Sequence, residues 1–126
     1  LIADKYQEYN KTLNSIKELE SSINKYRAND GSLDITHDVA TKALIQKAKN
    51  DGFHIDLKDI YSKDEVDQLL KSLHKDLLDM KTNLENITKI DQLKIDSHSA
   101  LMKMVMKMIQ QIHDLLLHIC KNLSSH

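Results

Sequence analysis

A mainly all-α fold is predicted by two observations on the 126-residue chain. It has no proline and only two glycines, which leaves too few turn residues for a sandwich or barrel. An apolar seam also recurs at alternating spacings of four and three through Val66, Leu70, Leu73, Leu77, Met80, Leu84 and Ile87, then Leu101, Val105, Met108, Ile112, Leu115 and Ile119. These observations predict a long antiparallel helical hairpin, or intramolecular coiled coil, with a small mixed insertion between its two long helices. The expected plan is one domain over residues 1–126: a first helix over 1–28, the insertion over 32–61 and the second helix over 62–121.

The first helix carries Ile2, Tyr6, Tyr9, Leu13, Ile16, Leu19, Ile23 and Tyr26 on one face, with Lys5, Glu8, Lys11, Lys17, Glu18 and Lys25 elsewhere on its surface. Asn29-Asp30-Gly31 is expected to end it, since glycine takes the left-handed conformation that favours a helix C-terminus. In the insertion, Leu33-Asp34-Ile35 and Phe53-His54-Ile55-Asp56-Leu57 alternate apolar with polar residues, the period of a short strand, and suggest a two-stranded ribbon. Between them Val39, Ala40, Ala43, Leu44 and Ala48 mark a helix of about three turns, closed by Asn50-Asp51-Gly52. The insertion's apolar residues read as few and local, so it is expected to tolerate surface changes better than the C-terminal seam does.

Ser62-Lys63-Asp64-Glu65 is a capping box that starts the long helix. Only Asp91, Lys94 and His98 interrupt the heptad frame. They leave two alternatives, a break near Asp91 to Ser99 or a continuous helix of about 87 Å; the unchanged frame favours continuity. Ile2, Tyr9, Leu13, Ile16 and Ile23 are expected to pack against Leu70, Leu73, Leu77 and Leu84. The stretch Leu101 to Ile119 is apolar around most of its circumference, more than one antiparallel helix covers. Leu101, Met104, Val105, Met108, Ile112 and Leu115 are therefore expected to face another subunit or a chaperone.

Charge is balanced at 18 basic against 19 acidic residues, which gives no electrostatic footprint for nucleic acid. Lys103, Lys107, Gln110, Gln111, His113 and Asp114 argue against a membrane span over Leu101 to Ile119. The chain opens on Leu1, so it is expected to be a piece of a longer one. A single cysteine, Cys120, excludes an internal disulfide. His113 and His118 are five apart, which places them on different faces of a helix, and the other histidines lack partners at ligand spacing. Around Gly52 the calcium-loop ligand positions fall on Lys47, Lys49 and Lys58, so that reading fails. No phosphate loop or nucleophile constellation is present. No catalytic residue, metal or cofactor is expected.

The order of a long helix, a small mixed segment and a long C-terminal helix resembles the hydrophilic translocators of type III secretion systems, the needle-tip proteins and EspA/SseB-type filament subunits. The nearest local likeness runs from Val39 to Ile60 through Asn50-Asp51-Gly52-Phe53-His54-Ile55-Asp56-Leu57 and Asp59-Ile60. It continues through Leu69-Leu70-Lys71-Ser72-Leu73 to the apolar stretch Leu101 to Ile119. The resemblance implies a secreted, non-enzymatic subunit at the bacterial cell surface, held in the bacterial cytoplasm by a dedicated chaperone before export. Its implied partners are further copies of itself, the secretion needle and the pore-forming translocators. The competing expectation is an intracellular helical adaptor or regulator that docks one partner through the same helix.

Overall fold

A computed structural model describes residues 1–124. The order is α1 (Ile2–Tyr26), β1 (Leu33–Asp34), α2 (Val39–Asn50), β2 (Ile60–Tyr61) and α3 (Lys63–Ser124). The fold is mainly all-α, as the composition predicts. Helix α3 is assigned without interruption through Asp91 to Ser99. Two compact units divide the chain, Leu1–Glu85 and Asn86–His126.

In the first unit the chain reverses between α1 and the start of α3. Arg27 pairs with Asp67 at 2.6 Å, and Glu20 with His74 at 2.7 Å. Seven residues back along α1 thus match seven forward along α3, a single antiparallel register. The packing differs from a two-helix seam, because the most extensive backbone contact of α1 is with α2.

Local chemistry sets each boundary. Helix α1 ends at Tyr26, and Arg27 already has extended backbone angles. Gly31 is therefore not a helix cap, a correction to the expected stop. It sits at φ 87° in the turn that follows, where its amide donates to the carbonyl of Ala28 at 2.9 Å. Asp38 caps α2 by accepting from the Thr41 amide at 3.0 Å and from the Thr41 hydroxyl at 2.6 Å. At the other end Gly52 (φ 98°) and Phe53 donate to the carbonyls of Lys49 and Ala48, the paired bonds of a Schellman motif. The capping box forms as expected: the Ser62 amide donates to Glu65 Oε1 at 3.1 Å and the Glu65 amide to Ser62 Oγ at 3.2 Å.

A ribbon forms, but its second strand is not Phe53 to Leu57. Leu33 pairs with Tyr61 and Asp34 with Ile60, antiparallel. The Ile35 amide extends the contact by donating to the Asp59 carbonyl at 2.8 Å. Phe53 and Ile55 are buried as the alternation implies, whereas Leu57 is exposed and the segment has no strand partner.

The core of the first unit joins Ile16, Leu19 and Ile23 of α1 to Leu33, Ile35, Ile45, Ala48, Phe53, Ile55 and Tyr61 and to Val66, Leu69 and Leu73 of α3. More than half of these residues come from the segment between the long helices, so its apolar side chains are neither few nor peripheral. The buried stripe of α3 shifts accordingly. Val66, Leu69, Leu73 and Asp76 are buried, whereas Leu70 and Leu77 are half-buried and pack on the cluster's edge. A helix facing α1 alone buries one seam; here it also covers the inserted segment, which turns the buried face toward Leu69.

Candidate assembly surface

From Leu101 to Ile119 the chain carries twelve large apolar side chains, which as helical neighbours three and four apart wrap most of the circumference of α3. They are all exposed, from 39% at Val105 to 62% at Met106. The candidate interface residues Leu101, Met104, Val105, Met108, Ile112 and Leu115 are all among them. A chain that leaves such a contiguous surface to water bears a cost of about 25 cal/mol per Å², and extended exposed apolar patches mark interaction sites. No helix of the described residues is long and apolar enough to cross a membrane.

Of the residues expected in the intramolecular seam, Ile16, Ile23 and Leu73 are fully buried in the core cluster. Leu70 and Leu77 lie at its margin, and Leu84 is buried outside it. Ile2, Tyr9 and Leu13 are half-buried, outside that cluster.

The first unit holds a second candidate, an open groove of about 250 Å³ beside the ribbon, lined by His54, Asp56, Lys58, Tyr61, Glu65 and Gln68 among others. Its polar groups are engaged with one another. The Tyr61 hydroxyl accepts from the Lys58 amide at 2.8 Å and donates to the Asp56 carbonyl at 2.6 Å. Burial pushes the Tyr61 phenol above its ordinary pKa. Lys58 pairs with Glu65, and this pairing, with the Ser62 amide and hydroxyl, holds the Glu65 carboxyl down to about 2. These bonds fasten the 54–61 loop to the first turn of α3. Among the described residues, no buried side-chain nitrogen or oxygen lacks a hydrogen-bond partner, and no three histidines, cysteines or acids gather as metal ligands.

Asp76 was not singled out by its spacing, since one acid among seam residues reads as a solvated position. In the structure it is buried and accepts from the His54 amide at 2.7 Å, with His54 Nδ1 at 3.1 Å. Burial raises the Asp76 pKa, but the His54 amide and ring outweigh it, and the carboxyl lies below its ordinary value. The sign follows: a depressed acid stabilises the fold above its unfolded pKa, and that contribution is lost as pH falls through the folded value. Asp76→Ala is expected to cost about 1.5 to 3 kcal/mol at neutral pH. Urea melts from pH 7 to pH 2 check this, with the gap to wild type closing in the acid range; a gap independent of pH would remove the charge from the explanation.

No family model matches this chain, and no curated protein or solved structure matches it either.

Proposed function

We propose that the chain is a non-enzymatic assembly subunit that buries residues 101–119 against other protein chains. The observation that carries this reading is the exposed apolar surface of that stretch, which takes up most of the helix circumference. The finer reading is a secreted subunit of a type III secretion needle tip or translocon filament. It is supported by the resemblance in element order and by the antiparallel placement of α1 and the start of α3 around a small mixed segment. In that role the chain engages the needle and the pore-forming translocators, and a dedicated chaperone covers its apolar stretch before export.

Export tests the finer reading. In the producing bacterium the protein is expected in the culture medium when the injection apparatus is intact and in the cell pellet when it is disabled. Retention in the pellet of both strains would overturn secretion and favour an intracellular adaptor that docks one partner through the same helix.

A further inference from the structure

Resting on the assembly reading above, we infer that residues 101–119 pair with the same residues of a second copy as a parallel, in-register, two-stranded coiled coil. Three observations select this occupant.

The first is the identity of the seam residues. In the heptad frame that runs through α3, the a positions of this stretch are Val105, Ile112 and Ile119, all β-branched, and the d positions are Leu101, Met108 and Leu115, all unbranched at Cβ. β-branched residues at a with leucine-like residues at d favour two parallel strands, because each fits the different angle at which the facing helix presents its hole. Earlier in the same helix the a positions are Leu70, Leu77 and Leu84. The preference thus changes between the part of α3 that packs within the first unit and the part that is exposed.

The second is the placement of charge. Lys103 falls at f, and Lys107, Asp114 and Lys121 fall at c, all on the outer side of such a pair. The e and g positions are Met102, Met104, Ile109, Gln111, Leu116 and His118, without a permanently charged residue. Two identical chains in parallel register therefore bring no lysine onto lysine or aspartate onto aspartate at the interface. Immediately before this stretch Asp91, Lys94 and His98 occupy a, d and a, where parallel copies would set Asp91 on Asp91 and Lys94 on Lys94 and place a polar imidazole in the seam. That sets the start of the pairing at Leu101.

The third is area. The apolar a, d, e and g side chains are each about half exposed, and together they offer on the order of 1,000 Å² of apolar surface, with only Met106 at b and Leu117 at f outside the paired face. The apolar share of one side of a standard interface of about 800 Å² per partner is of the same order.

Disulfide trapping in the full chain, with Cys120→Ser as background, tests the arrangement. A disulfide needs Cα atoms within about 7 Å, so Leu115→Cys chains are expected to form a covalent dimer on mild oxidation, with helix content unchanged by circular dichroism. Size-tagged Val105→Cys and Leu115→Cys chains, mixed and oxidised, are expected to give like-with-like products, since ten helical residues separate the two sites by about 15 Å. A dominant 105–115 hybrid would overturn the parallel register and leave the assembly reading standing. Light scattering of the untrapped wild type is expected at twice the chain mass; a trimer or larger species would overturn the two-stranded form. A wild type that stays monomeric at high concentration would overturn this inference and the self-assembly reading together.

Discussion

Replacing Phe53 by alanine is expected to lower the stability of the first unit by about 3 to 5 kcal/mol, within the range for truncating a buried aromatic residue. Phe53 is 4% exposed and packs in the cluster that contains Ile16, Leu19, Val66 and Leu73. It also stands just beyond α2, where its amide donates to the Ala48 carbonyl at 3.0 Å while both side chains enter the core. The substitution therefore leaves a cavity and weakens the apolar contact that accompanies the helix stop. Leu70→Ala, in the long helix, is expected to cost less, because Leu70 is half-buried at the cluster's edge. Denaturant melts of the two variants order them. A larger loss for Leu70→Ala would mean that the long-helix seam, and not the inserted segment, dominates the core.

Lys42, on α2, ties two parts of the inserted segment together. Its ammonium donates to the Thr36 carbonyl at 2.9 Å and pairs with Asp59 at 2.6 Å. It thus joins the loop before α2 to the residue whose carbonyl accepts from Ile35. Surface position in the sequence pattern carries no information about such a bridge.

What was legible in the sequence was the chemistry that acts between near neighbours. The capping box at Ser62 and Glu65, the stop of α2 at Gly52 and the amphipathic face of α1 through Ile16, Leu19 and Ile23 all depend on residues within a few positions of one another. What was not legible was the identity of distant partners. The alternation of Phe53, Ile55 and Leu57 correctly marks a segment with a buried side, yet the strand that pairs with Leu33 is Tyr61, a choice made by the antiparallel reversal of α1 against α3. The shift of α3's buried stripe from Leu70 and Leu77 to Leu69 and Asp76 has the same origin. A heptad reading assumes that the partner is one helix, whereas here the inserted segment occupies part of that face. Asp76 was hidden for a related reason, since its buried role depends on a backbone amide 22 residues away.

Met108→Asp is expected to reduce self-association at least 100-fold, equivalent to about 2.8 kcal/mol, while the melting of the first unit stays within about 0.5 kcal/mol of wild type. Met108 is 57% exposed in the single chain, so a carboxylate there stays hydrated and does not disturb the core formed by Leu1–Glu85. In an assembled seam the same carboxylate loses water and, between copies, meets its own counterpart. An unpaired buried charge is destabilising by several kcal/mol. Met106→Asp is the matched control: it adds the same charge two residues away, at the outward b position of the heptad, and is expected to weaken association less. Light scattering over a dilution series reads the assembly, and circular dichroism with thermal melting reads the fold. Equal losses of association at the two positions would mean that the contact lacks the proposed seam. Joint unfolding would mean that Met108 belongs to the chain's own core, and the exposed apolar surface of residues 101–119 would then need an explanation within the chain.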